Sequence, residues 1–177
     1  MGARRSLIAG GLVLFLALGG GAAFVVAIVH SHRLCEGPSP NWDNPGGVQV
    51  ADLKEAAPYL AFKPVVPRAL GPAARLLIDG NKPDLSAKSL LWVYQQPVYG
   101  TFWVKESITE VTQAWIDSRR NNPTGCSEDS VVTLQSGTRA ALSVGKVTSI
   151  IWLDHGLRID VLGTFSKTQA LEVANRV

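Results

Sequence analysis

Hydrophobic positions follow three different patterns along this chain of 177 residues. Residues 7–29, "LIAGGLVLFLALGGGAAFVVAIV", run without a single charge. About 20 apolar residues cross a bilayer core, so this run predicts a membrane-spanning helix. Arg4 and Arg5 precede it and favour a cytoplasmic N-terminal end, residues 1–6. A cleaved signal peptide is the competing reading; its apolar region is normally about 7 to 15 residues with a small-residue site behind it. Residues 30–47 lack any period and are rich in Pro, Gly, Ser and Asn. They read as a flexible tether with a reach of roughly 20 to 24 Å.

From residue 48 onward the pattern is that of a folded domain, 48–177. "DLKE" at 52–55 has the cap residue and the acidic residue three positions later that start a helix, and Pro58 keeps it short. Pro64, Pro67 and Pro72 then punctuate an extended connector, because proline fixes φ and removes a donor. Apolar positions next recur every second residue. "ARLLID" (74–79), "KSLLWVYQ" (88–95) and "TFWVKE" (101–106) predict strands, the last two joined as a hairpin through "QPVYG". "SITEVTQAWIDSRR" changes period: Ser107 with Glu110 forms a capping-box pattern, and Ile108, Val111 and Trp115 fall at helical spacing. Arg119 and Arg120 suit the negative end of that helix, which "NNPTG" stops.

Strands follow at "SVVTLQ", "TRAALS" and "KVTSIIWL". "LRIDVLG" then alternates Leu157, Ile159 and Val161 against Arg158 and Asp160, which predicts a solvated Asp160. The last element, "SKTQALEVANRV", has Ser166 as a cap and an apolar face that docks on the sheet. The expected fold is α+β: a transmembrane helix, then an antiparallel sheet of about six or seven strands packed with two or three helices.

Charge adds little. Without Arg4 and Arg5 the chain carries 15 basic against 14 acidic residues, and the basic ones form no cluster. Nucleic acid is not an expected partner. Cys35 and Cys126 both fall on the outer side, where disulfides persist. Their bridge would close a loop worth about 4.6 kcal/mol in the chain-entropy model; two separate thiols are the alternative.

The search for chemistry returns mostly structural answers. Nucleophilic catalysis needs a base within reach of a serine or cysteine. His155 is the one histidine of the domain, and "DHG" (154–156) reads as the turn of a hairpin in which Gly156 supplies φ > 0. A secreted hydrolase using His155 is therefore the alternative, not the main reading, and no Gly-x-Ser-x-Gly elbow accompanies it. Two distant cysteines and one histidine give no zinc spacing, and His30-x-His32 is a polar flank of the apolar run. "SVGKVT" (143–148) lacks the glycine spacing of a phosphate loop. No cofactor is expected. Gly19, Ala23 and Ala27 recur every four residues, a small-xxx-small pattern that can pair membrane helices. Trp92, Tyr94, Trp103, Trp115 and Trp152 are candidates to line an apolar pocket; ordinary core is the competing role.

One resemblance adds to this. "AAPYLAFKPVVPRALGP" and "IIWLDHGLRIDVLGTFSKTQALEVANRV" resemble the opening and the ending of small extracytoplasmic domains of unknown function in Gram-positive bacterial membrane proteins, which are distantly similar to the lipoprotein-carrier-like half-barrel. The resemblance implies an envelope location and no catalytic residues; Pro64, Pro67, Gly156 and Gly163 match at structural positions. Some such domains sit on anti-sigma-factor-like proteins, but six cytoplasmic residues are too few for a sigma-factor-binding domain. The expected function is a single-pass, membrane-anchored binding or interaction module of the cell envelope, with a lipid, another apolar ligand or an envelope protein as partner and without enzymatic activity. A small subunit of a larger membrane complex is a further alternative.

Overall fold

Successive side chains of a strand point to opposite faces of the sheet, so every strand of this domain has two faces, and the fold follows from how each face is covered. The computed structural model describes residues 40–42, 45–78, 87–119 and 127–177, all within one compact unit, Ser39–Val177. The expected cytoplasmic segment, the apolar run 7–29, Arg4, Arg5, Cys35 and Cys126 lie outside the described residues, as does the expected tether up to residue 39. Among the described residues no helix is long and apolar enough to cross a membrane.

The strands are β1 (Val48–Val50), β2 (Arg75–Ile78), β3 (Ser89–Gln96), β4 (Gly100–Ile108), β5 (Glu128–Thr133), β6 (Arg139–Val144), β7 (Thr148–Asp154) and β8 (Leu157–Gly163). They form one sheet in the order β1-β2-β3-β4-β8-β7-β6-β5, antiparallel throughout. Two four-strand meanders thus meet at β4 and β8. The sheet has eight strands where six or seven were expected; the extra one is β1, whose three residues are too few to show a period. The helices are α1 (Leu53–Ala56), α2 (Gln113–Ser118) and α3 (Lys167–Ala174).

One face of the sheet holds the main core. Leu90, Tyr94, Phe102, Val104, Ile150, Ile159 and Val161 are almost fully buried there, against α3 through Ala170, Val173 and Ala174. Ser166 and Gln169 form a reciprocal capping box that starts α3. Asp52 caps α1 as expected, its Oδ1 accepting from the Glu55 amide at 2.9 Å. The proline connector stays irregular apart from a 3-10 turn at Arg68–Leu70.

The second face carries Leu77, Val93, Trp103, Lys105, Asp129, Ala141, Ile151 and Asp160, by register. Two pieces of chain cover it. Trp42 packs its ring on Trp103, with centroids 4.8 Å apart, and its carbonyl accepts from Arg75 Nη2 at 3.2 Å. The end of the expected tether is therefore docked on the domain. The other cover is α2.

That helix corrects the sequence expectation. It begins at Gln113, not Ser107, and Thr112 caps it by accepting from the Trp115 amide at 3.3 Å. Ser107 and Ile108 instead complete β4, opposite Arg158 and Leu157. One ladder partner on each side, Ser89 and Arg158, holds Ser107 in the sheet, and a local capping pattern cannot compete with them.

The hairpin joining β7 and β8 is tighter than expected. Asp154 pairs with Leu157, so only His155 and Gly156 form the turn, both at positive φ, +48° and +82°. That is the primed turn geometry of short hairpins, for which Asn-Gly is the favoured pair. His155→Asn should therefore raise unfolding stability by about 0.5 kcal/mol, read as an upward shift of the urea midpoint. An unchanged or lower midpoint would refute this account of the turn.

Candidate functional site

The connection from β4 to β5 has to travel from the middle of the sheet to its edge, and it crosses the second face on the way. α2 lies on that path, anchored by Ile116, which is fully buried. Trp115 beside it forms one wall of a partly open cleft of about 150 Å³. The floor is set by strand register. Asp129, Ser143 and Ser149 stand in one row across β5, β6 and β7, and Ala141 and Ile151 stand in the next. A polar strip therefore runs beside an apolar one, with an aromatic wall above both.

Two charges face each other across this cleft. Asp129 is 4% exposed at its side chain, whereas Arg119 is 40% exposed. The carboxylate accepts from Ser127 Oγ at 3.0 Å and from Arg119 Nη1 at a long 3.4 Å. An ionised carboxylate offers about four acceptor sites, so its two donors among the described residues, one of them distant, leave Asp129 under-bonded for its depth. The Arg119 guanidinium lies 4.4 Å from the centre of the Trp115 ring, a cation–π arrangement. Arg158 is 6.0 Å from the same ring, but it is committed: Nε and Nη2 donate to Asp160 Oδ1 at 3.0 and 2.7 Å.

Asp160 is the second correction to the sequence expectation. It is 4% exposed, not solvated, because Arg158 folds over it, with its guanidinium bonded to the carboxylate and lying 6.0 Å from the Trp115 ring. Burial raises its pKa, and the bond from Arg158 opposes that shift.

Glu106 is the deepest charged side chain among the described residues. It points into the main core with no exposure. Its Oε1 accepts from Trp92 Nε1 and its Oε2 from the Val65 amide, both at 2.8 Å. Removal from water pushes the carboxyl up from 4.5 to about 7, against those two hydrogen bonds, with Asp154 adding a smaller upward push. Val65 belongs to the proline connector, so this one carboxyl ties the connector to β3 and β4. Burial, with the negative charge of Glu106 as a smaller contribution, raises Tyr94 above its ordinary value. This arrangement holds chain segments together and does not border the cleft beneath α2.

The five aromatic candidates do not converge. Trp92, Tyr94 and Trp152 lie in the main core, buried to 7%, 1% and 5% exposure, with Tyr94 stacked on Phe102 at 5.0 Å. Trp103 is on the opposite face under Trp42, its Nε1 buried without a partner among the described residues. Trp115 alone lines the cleft. His155 Nδ1 is 2.7 Å from Asp154 Oδ1, yet its side chain is 86% exposed at the hairpin tip, away from the cleft. Among the described residues no group of three or more His, Cys, Asp or Glu side chains is placed to hold a metal ion.

Comparison with known proteins adds no relative: no family model matches the chain, and no match is found among curated proteins or solved structures.

Asp129, Ser143 and Ser149 escape sequence reasoning as a group. They come from three strands and meet only through register. Glu106 does leave a signal, since it shares the parity of Phe102 and Val104 along β4.

Proposed function

We propose that the chain is a membrane-tethered binding module of the bacterial cell envelope, facing outward, whose domain takes up a small polar organic molecule in the cleft beneath α2. The uncharged run 7–29 behind Arg4 and Arg5 supports the tether and its orientation. The likeness of residues 56–72 and 150–177 to Gram-positive extracytoplasmic domains supports the location.

The observation that carries the binding role is the cleft itself: about 150 Å³ lined by Trp115, Arg119, Asp129, Ser143 and Ser149. Concave sites with a few convergent polar groups are where small ligands bind. The aromatic candidates for an apolar pocket are divided between two faces, which turns the reading from a lipid toward a smaller, more polar ligand. Binding is favoured over hydrolysis because His155 stands at an exposed turn, not at this cleft.

Native mass spectrometry of the full chain, gently extracted from its own membrane, tests this. The expected result is a small-molecule adduct that disappears in Ser149→Leu, a variant that fills the cleft while retaining the wild-type circular dichroism spectrum. An adduct that survives in the variant, or none in the wild type, would overturn the reading.

A further inference from the structure

We infer that the ligand of this cleft is a small organic cation, a primary amine on a short apolar body, received by Asp129. The inference rests on the binding role proposed above and adds the chemistry of the ligand.

Burial and bonding of the two charged groups decide it. The anion is the fixed and buried partner: Asp129 is held on β5 and is 4% exposed. The cation is the movable one: Arg119 closes α2, is 40% exposed, and reaches the carboxylate through a single nitrogen at 3.4 Å. A buried carboxylate with a weak, solvent-exposed partner gains most from a second cation that can enter and approach it closely. An anionic ligand would gain Arg119 but would have to lie against Asp129, which cannot move away.

The rest of the cleft matches an ammonium group. It has three donors to satisfy. Asp129 can take one, the hydroxyl of Ser143 stands beside it on the adjacent strand β6, about 4.8 Å away, and Ser149 follows in the same row one strand further on, on β7. The neighbouring row, Ala141 and Ile151, offers an apolar floor for the carbon body, and Trp115 a wall. The other cation near the ring, Arg158, is neutralised by Asp160. Arg119 thus acts as an internal competitor, occupying the place the ligand's cation takes and swinging outward when it binds.

This predicts opposite effects for the two charges. Amide NMR of the full chain in detergent, titrated with n-butylammonium, butyrate and 1-butanol, reads them directly. Butylammonium should move the Trp115 indole and the Ser143 and Ser149 amide signals saturably, and more strongly than either other probe. Asp129→Asn should weaken that binding roughly tenfold or more, and Arg119→Ala should tighten it by a factor on the order of 3 to 10. Tighter binding of butyrate at the same signals, or weaker amine binding in Arg119→Ala, would overturn the inference while leaving the binding role standing. Silence of these signals to all three probes would also overturn it; the adduct experiment then decides separately whether the cleft binds anything.

Discussion

Unfolding stability of this protein will fall as the pH rises from about 5 to about 8, and Glu106→Gln will remove most of that slope. The cause is the burial of Glu106, whose carboxyl is pushed from 4.5 to about 7 in the folded chain. Below 4.5 both folded and unfolded chains hold the proton, and the group costs nothing. Between 4.5 and 7 the unfolded chain has released a proton that the folded chain keeps, so each step upward in pH favours unfolding. Above 7 both are ionised and the full cost stands, about 3 kcal/mol. Asp160, also raised by burial, acts in the same direction. Urea unfolding at pH 5, 6, 7 and 8 gives the wild-type slope. In Glu106→Gln nothing titrates at this position, so the curve should flatten to what Asp160 and the surface groups leave. Retention of the full wild-type slope would show that Glu106 is not the group responsible. Glu106→Ala separates charge from hydrogen bonding. It orphans the Val65 amide and Trp92 Nε1, and each orphan costs about 1–3 kcal/mol at every pH.

Much of the scaffold behind this effect is legible in the amino-acid pattern alone. Strands β3, β4, β6, β7 and β8, the cap at Ser166 and the turn at Gly156 all follow from two local rules, alternation and capping. Where those rules fail, a distant partner is responsible. Ser107 carries a helix-start pattern, yet Arg158, fifty-one residues on, holds it in β4. Asp160 occupies what looks like a solvent-facing position, yet Arg158 folds over it, toward the Trp115 ring of the chain that crosses between β4 and β5. No local pattern reports the path of a crossover, because that path depends on β8 inserting beside β4. The cleft is illegible for the same reason. Trp115 stands out as an aromatic, but its companions Asp129, Ser143 and Ser149 come from strands whose order only the assembled sheet defines. Glu106 is the exception among the missed groups. Its parity with Phe102 and Val104 points inward, and reading that alternation through to the end of β4 places it in the core.

A second large effect comes from the place where the sheet ends and α3 begins. Phe165 is 5% exposed and sits against Phe102 and Tyr99, with ring centres 5.4 and 6.4 Å away. Its carbonyl accepts from Thr148 Oγ1 at 2.8 Å in the buried core, and Tyr99 Oη in turn donates to Glu172 of α3 at 3.0 Å. Phe165→Ala should cost about 3–5 kcal/mol, the usual range for emptying a buried aromatic site. Gly163 explains why the ring fits. It pairs with Phe102 on β4 and Thr148 on β7, and a Cβ there would meet two atoms of the Phe165 ring at 2.4 Å. Gly163 is not among the glycines at positive φ, so alanine suits its backbone and the conflict is steric alone. Gly163→Ala should therefore cost about 1–3 kcal/mol by overpacking. The two sites must then be strongly coupled. With Phe165 truncated, the new methyl group enters the vacated space, and Gly163→Ala should become nearly neutral or stabilising. A double-mutant cycle measured by urea unfolding should give a coupling of at least about 1 kcal/mol in that direction. Additive losses would mean that Gly163 is required for its backbone and not for the ring that covers it.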